Sequence, residues 1–271
     1  MTIRPDLQID LNWVTIPAGT FTMGSNDGPH PEDGEGPARP VMLSTYRITA
    51  TTITVAHFAE FVTATGYQSV AEAAGASLVF SGELADPEAH PVVAPVTPWW
   101  RRVVGASWRA PQGDGAGDPA LPAVHIARQD ALAFCHWSGT RLPTEAEWEC
   151  AAQHPPGDVQ PTRHIWQGRF PDAPGNQPGP VAAGHGIPNA HGVLHACGNV
   201  WEWTADRFTR LHGPQHQRDP KGPLNGRDYV VKGGSFLCCP SYCARFRPSS
   251  RRAEPPWATA SNLGFRVAAD G

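Results

Sequence analysis

Nowhere in the 271 residues do about 18 consecutive apolar residues run uninterrupted, the length that a membrane-crossing helix needs. The opening Met1-Thr2-Ile3-Arg4-Pro5-Asp6 also lacks the apolar stretch of a secretory signal, so a soluble, cytoplasmic protein with no membrane partner is expected. Positive charge is not in excess. With 21 Lys+Arg against 25 Asp+Glu the formal net charge is −4, which offers no basic face for phosphates and argues against nucleic acid as a partner. A disulfide framework is missing as well. Of six cysteines, Cys135, Cys150 and Cys197 are scattered while Cys238, Cys239 and Cys243 crowd together, so reduced thiols are expected. No short repeat is present and no shift in composition marks a domain boundary. Glycine (28) and proline (29) together exceed a fifth of the chain, but ten Trp and ten Phe are spread through it. Collagen and disorder are thereby excluded, and a loop-rich globular domain is implied.

Periodicity places a few regular elements in that domain. Large apolar residues alternate with small or polar ones from Asn12 to Gly24 around Pro17-Ala18-Gly19, which predicts two short strands in a hairpin. The polar, Gly/Pro- and acid-rich residues 25–40 read as a surface loop. Helical stripes over Thr54–Thr65 and Arg128–Ser138 end at Gly66 and Gly139. A third helix starts near Pro143, with Thr144 and Glu147 spaced as a capping box. Residues 110–122 and 171–192 read as loops, and the whole as one mixed α+β domain over 12–271 behind an N-terminal extension, 1–11.

The feature with chemical promise is Cys238-Cys239-Pro240-Ser241-Tyr242-Cys243, three of the six cysteines within six residues, just after Gly233-Gly234. Thiolates are soft ligands suited to Cu(I) or Zn(II), and two on one tight loop can grip an ion without help from distant elements. The residues alone leave two alternatives open, a metal or redox site and an inert pair of loop thiols.

Several motifs follow one another along the chain: Ile16-Pro17-Ala18-Gly19 with Met23-Gly24-Ser25, Trp99-Trp100, Gly105-Ala106-Ser107-Trp108-Arg109, and Arg141-Leu142-Pro143-Thr144-Glu145-Ala146-Glu147-Trp148-Glu149. Gly198-Asn199-Val200-Trp201-Glu202-Trp203-Thr204, Gly233-Gly234-Ser235-Phe236 and Ser261-Asn262-Leu263-Gly264-Phe265-Arg266 complete the series. This series resembles the formylglycine-generating enzyme (sulfatase-modifying factor) family from end to end. The resemblance implies a single-domain, C-type-lectin-like α+β fold with little regular secondary structure. It also implies an oxidase that uses Cu(I), O2 and a thiol reductant to convert a cysteine of a sulfatase, in a Cys-x-Pro-x-Arg motif, to Cα-formylglycine. Carried over by position, Cys238 and Cys243 are the copper ligands, and Ser235 and Trp201 belong to the oxygen pocket.

Calcium is the second ion the resemblance implies, here through the carbonyls of Gly198 and Val200 and the carboxylate of Glu202. His195 stands where the family has Asn or Asp, and the other calcium loop is shortened to Asp172–Pro178, so one ion is expected rather than two. A soft-metal cluster of His185, His191 and His195 near Cys197 is the competing reading. Val267 stands at the position where the family has the disulfide partner of Cys135, so Cys135 is expected to stay unpaired. Two further departures bear on function. Cys239 replaces the histidine that usually follows the first copper cysteine, and Arg252–Thr259 replaces a Thr-Pro-Asp-Ser-Ser-like stretch near the peptide groove. The alternatives are therefore a paralogous copper oxidase acting on another thiol, peptide or small molecule, or a non-catalytic lectin-like binding or immunity module.

Overall fold

A computed structural model describes residues 9–153, 161–175, 178–212 and 217–271. Fourteen short strands and four α-helices alternate with long irregular connections in these residues. The strands are β1 (Trp13–Ile16), β2 (Gly19–Met23), β3 (Arg39–Leu43), β4 (Tyr46–Thr49), β5 (Ala76–Phe80), β6 (Trp100–Val104), β7 (Gly168–Arg169), β8 (Ala173–Pro174), β9 (Trp201–Arg207), β10 (Gln217–Arg218), β11 (Tyr229–Lys232), β12 (Arg251–Glu254), β13 (Leu263–Phe265) and β14 (Ala268–Asp270). The helices are α1 (Val55–Thr65), α2 (Val70–Ala74), α3 (Arg128–Ser138) and α4 (Glu145–Ala152). The sheet that matters most runs β12-β11-β9-β13; smaller sheets are β1-β4-β14, β10-β3-β2, β5-β6 and β7-β8.

The helices form where their capping chemistry permits. The Thr54 hydroxyl accepts from the His57 amide at 3.2 Å, and Gly66 ends α1 in the left-handed conformation. α4 starts on the anticipated box, the Thr144 hydroxyl accepting from the Glu147 amide and the Glu147 carboxylate from the Thr144 amide. Ala127 has no side chain with which to cap α3, so Asp130 accepts from the Ala127 amide instead. Phe58 and Phe61 of α1 and Phe134 of α3 meet edge-on and stacked, and with Trp108, Trp203 and Phe265 they fill the main core against β9 and β13. A second cluster joins Ile16, Val41, Tyr46 and Ile48 to Ala146 and Trp148 of α4.

Two expectations need correction. The strands anticipated within 12–24 exist, but they are not a hairpin: β1 pairs with β4 (Ile16 opposite Tyr46) and β2 with β3 (Gly19 opposite Leu43). Alternation marks a strand but not its partner. Here Ile16 and Ile48 gain more by being buried together than a local turn could supply. Residues 25–40 are likewise more than a surface loop, since Glu35 is only 2% exposed and Arg39, 8% exposed, already opens β3. Of the extension assigned to 1–11, residues 1–8 lie outside the described residues and Leu11 is buried in the main core.

Charge is buried systematically around α4. Lys232, at the end of β11, donates to Glu149 at 2.9 Å and lies 3.8 Å from Glu145. Directly across the β11–β12 ladder from Lys232, Arg251 grips Glu145 with two bonds of 2.6 and 2.8 Å. Burial alone would raise the Glu145 carboxyl, but Arg251 and Lys232 outweigh it and hold it at about 2. Its neighbour Asp206, accepting from the Glu145 amide at 2.5 Å, behaves oppositely: burial, reinforced by the charge of Glu145, pushes it up to about 7.

A carboxyl raised in the fold binds its proton more tightly there than when unfolded, so its contribution to stability is full below about pH 4 and is lost as the pH rises through its folded value. Asp206→Asn, which keeps an acceptor for the Glu145 amide, should therefore gain stability relative to the parent chain between about pH 5 and pH 8 in urea unfolding. Parallel pH profiles for the two proteins would mean that Asp206 does not titrate in this range.

Candidate active site at the cysteine loop

β11 and β12 are joined by residues 233–250, and the candidate site is built on this connection. It leaves β11 through Gly233 and Gly234, both left-handed (φ 89° and 69°). A Cβ on Gly234 would stand 2.9 Å from the Phe246 backbone, and one on Gly233 would meet Trp148 at 3.1 Å, so the turn has room only for glycine. The Cys238 amide bonds to the Ser235 carbonyl at 2.9 Å, and the Cys239 and Tyr242 backbones bond to each other in both directions at 2.9 and 3.1 Å. Cys243 and Ala244 follow, both non-glycine residues in the left-handed region (φ 70° and 51°). This winding brings the Cα atoms of Cys238 and Cys243 to 5.1 Å, and their sulfurs are joined as a disulfide. The expectation that all six cysteines stay reduced is thus corrected for this pair; Cys135, Cys150, Cys197 and Cys239 are free.

Both sulfur-bearing residues border a cavity of about 270 Å³ that also takes in Trp99, Trp100, Trp201, Ser235, Tyr242, Arg245, Arg252 and Asn262. All four residues singled out from the sequence, Cys238, Cys243, Ser235 and Trp201, therefore come together. The Ser235 hydroxyl is fully buried and accepts from the Asn262 side-chain amide at 3.0 Å. Trp201 presents its ring to the cavity with the Arg252 guanidinium 5.8 Å above it, whereas Trp203 turns into the core and donates its indole N–H to the Ile126 carbonyl. Hollows of about 510 and 740 Å³ lie elsewhere, the first beside Asp206 and Arg251, the second beside Cys135, whose thiol burial pushes up to about 12. Neither brings two sulfurs together, so chemistry favours the smaller cavity.

Several contributors were not singled out beforehand. Tyr242 stacks on Phe170 at 3.9 Å and meets Trp99 edge-on at 5.6 Å, closing the cavity with aromatic surface. Asn262 was visible inside the Ser-Asn-Leu-Gly-Phe-Arg motif, yet nothing in the motif said that its amide would hold Ser235. The segment 30–35, read from the sequence only as part of a surface loop, has a definite task. It clasps the cysteine loop: His30 donates to the Cys243 carbonyl, Asp33 accepts from Arg245 at 2.5 Å, and Glu35 accepts both bonds of 2.7 and 2.8 Å from Arg247. By contrast, the Gly105–Arg109 motif is structural, Trp108 and Arg109 both donating to Glu72. Cys239 turns away from the cavity. Buried among Phe80, Trp166 and Phe236, it meets Ser241 at 3.3 Å.

The residues fit the two implied ions unequally. For Cu(I), two sulfurs within reach of one ion, in a cavity wall that holds neither carboxylate nor imidazole, form a purely soft donor set. Calcium fares worse. The Glu202 carboxylate, which with the Gly198 and Val200 carbonyls was expected to hold the ion, already accepts from Arg266 at 2.5 and 2.7 Å and from the Trp148 indole at 2.7 Å, so little of its acceptor capacity is left for a cation. His195 adds only a nitrogen where a hard cation needs oxygen, and burial pushes its imidazole down to about 4. Of the other loop, Asp172–Pro178, Asn176 and Gln177 lie outside the described residues. The cluster of His185, His191 and His195 near Cys197 does not converge either. Among the described residues, three such ligand atoms come within 4.8 Å of one another only at His30, Glu32 and Asp33, where Arg245 and the Cys243 carbonyl already occupy the group.

With this geometry established, the comparison with known proteins is decisive for the family. Residues 6–271 match the sulfatase-modifying factor enzyme 1-like domain. The chain belongs to the sulfatase-modifying factor family. It is 42% identical to the formylglycine-generating enzyme of Thermomonospora curvata over 98% of this chain and 96% of that one. It is also 37% identical to the inactive Cα-formylglycine-generating enzyme 2 of Mus musculus, over 97% and 89% of the two chains. PvdO from Pseudomonas aeruginosa shares the fold, with a TM-score of 0.69 at 22% identity over 96% of this chain and 94% of that one. The expected single-domain, irregular α+β fold is therefore the fold of this sulfatase-modifying factor homologue. Because most of the acceptor capacity of Glu202 is committed to Arg266 and Trp148, adding calcium or a chelator should leave the thermal midpoint unchanged; a chelator-induced drop of several degrees would show a calcium site that survives around Glu202.

Proposed function

We propose that this chain is a formylglycine-generating oxidase: it oxidises a cysteine of a sulfatase, in a Cys-x-Pro-x-Arg segment, to Cα-formylglycine. What carries the reading is the convergence of Cys238 and Cys243 with Ser235 and Trp201 on one cavity. Overall, the substrate thiol, one molecule of dioxygen, a pair of electrons and a pair of protons become the aldehyde, one molecule of hydrogen sulfide and one of water. The Cβ–S bond and one Cβ–H bond break, and a C=O bond forms. A thiol reductant supplies the electron pair, and it first opens the Cys238–Cys243 disulfide. Bound Cu(I) would supply the one-electron chemistry that lets O2 react with a closed-shell thiol and its Cβ–H bond.

The protein's own residues then have definite tasks. Cys238 and Cys243 would hold the ion, the rigid turn at Gly233-Gly234 fixing one sulfur and the left-handed backbone at Cys243 the other. Ser235 is oriented by Asn262, so its hydroxyl proton is free to point into the cavity toward an oxygen atom. Trp201, Trp99 and Trp100 replace water with ring surface, which suppresses premature hydrolysis. Arg245 and Arg252, although paired with Asp33 and Glu254, place positive potential where the substrate sulfur would enter as thiolate.

A second reading is motivated by Cys239 and by the recast segment Arg252–Thr259, in which Trp257 stands 56% exposed beside Arg227. It keeps the oxidase and changes the thiol substrate. A non-catalytic module is the third, since an inactive relative is also similar.

Mass spectrometry of a Cys-x-Pro-x-Arg peptide incubated with Cu(I)-loaded protein, O2 and a thiol reductant discriminates among them. Conversion of thiol to aldehyde by the parent chain and at least about a hundredfold less by Cys243→Ser is expected, as for loss of an essential ligand (about 2.7 kcal/mol or more). An unchanged peptide with copper bound points to another thiol, and an unchanged peptide without copper binding leaves only the module.

A further inference from the structure

Cys243 occupies the strained end of the cysteine loop. It and Ala244 are consecutive non-glycine residues at positive φ, an arrangement that persists only where surrounding contacts fix it. Two side chains receive its carbonyl. His30 Nε2 donates to it at 2.6 Å, and Arg245 lies at 3.4 Å. The His30 ring is itself fixed from behind, with Nδ1 3.1 Å from the Glu32 carboxylate. His30 also immediately precedes the 3-10 turn Pro31–Asp33, whose Asp33 pairs with Arg245 two residues after Cys243. The chain thus reaches 213 residues back in sequence to hold the backbone of one loop cysteine, from a segment that itself contributes nothing to the cavity wall.

We infer that His30 is a positioning residue for Cys243. Through its N–H bond to the Cys243 carbonyl it fixes the left-handed backbone that aims the Cys243 sulfur at Cys238, and so sets how tightly the reduced pair grips Cu(I). The inference deepens the oxidase reading and rests on it for the identity of the metal. Its chemical core, the control of Cys243 geometry by a distant imidazole, has an independent readout in thiol reactivity.

Three proteins test it: the parent chain, His30→Ala, and His30→Gln, whose side-chain amide can put a donor near the position of Nε2. Cu(I) affinity of the reduced proteins is measured by competition with a chromogenic chelator. The rate of Cys243 alkylation by iodoacetamide is measured by peptide mapping of reduced, metal-free protein, and the thermal midpoint is measured alongside. Losing one N–H to carbonyl bond should weaken Cu(I) binding roughly three- to tenfold in His30→Ala. Alkylation of Cys243 should be faster, the midpoint should stay within about 2 °C, and His30→Gln should recover most of both effects. Unchanged affinity and unchanged alkylation in His30→Ala would overturn the inference, as would effects that merely follow a fallen midpoint. If the parent chain binds no Cu(I), the copper reading fails by itself, and the alkylation rates alone decide the role of His30.

Discussion

Everything about the site depends on two cations buried opposite each other at the root of one loop. Lys232 and Arg251 are register partners on β11 and β12, nearly or fully inaccessible to water, and they discharge onto α4, Arg251 on Glu145 and Lys232 on Glu149 with Glu145 close by. Burying charge is costly, and removing one member of such a set leaves the others unpaired at a cost of about 3–5 kcal/mol. The connection 233–250 therefore starts and ends at points that cannot drift. Glu149 extends the arrangement by accepting from the Gly24 amide at 2.6 Å, and Arg251 by donating to the carbonyls of Asp33, Gly34 and Thr209. The segment that clasps the loop from outside is tied to the same knot.

Between those fixed points the loop has little freedom. Glycines at 233 and 234 make a turn no side chain could enter, backbone bonds close the stretch from Cys239 to Ala244, and His30, Asp33 and Glu35 take the groups at Cys243, Arg245 and Arg247 in order. Two sulfurs are thereby delivered to a small cavity walled by indole and phenol rings. A soft, pre-formed donor pair is what the proposed Cu(I) site would require, and the buried charge at the root of the loop is what holds that pair in place.

How much of this was legible beforehand follows from which interactions are local. Helices α1, α3 and α4 were readable because their stripes and caps lie within a dozen residues, Thr144 and Glu147 being the clearest case. That Trp201, Ser235, Cys238 and Cys243 would share one cavity followed from the resemblance alone: Trp201 and Ser235 sit in motifs of the ordered series, and the two cysteines were carried over by position just behind one of them. The pairing of β1 with β4 was not, because alternation specifies a face and not a neighbour. The resemblance implied calcium at Glu202, but a carboxylate in sequence carries no sign of its partner, and the bond from Arg266, 64 residues away, was not legible. The direction of Cys239 was open for the same reason, until Phe80, Trp166 and Phe236 closed around it. The role of His30 was illegible, since the carbonyl that its Nε2 meets lies 213 residues downstream.

The central claim is that the loop closed by Lys232 and Arg251 presents Cys238 and Cys243 as one two-sulfur site for Cu(I). Titration of the fully reduced protein with Cu(I) against a competing chelator, followed by sulfur-edge and copper-edge X-ray absorption on the loaded sample, tests it most directly. The account predicts one tightly held Cu(I) per chain with two sulfur ligands, lost in both Cys238→Ser and Cys243→Ser and retained in Cys239→Ser. Copper bound equally well without either cysteine, or held by Cys239, would contradict it.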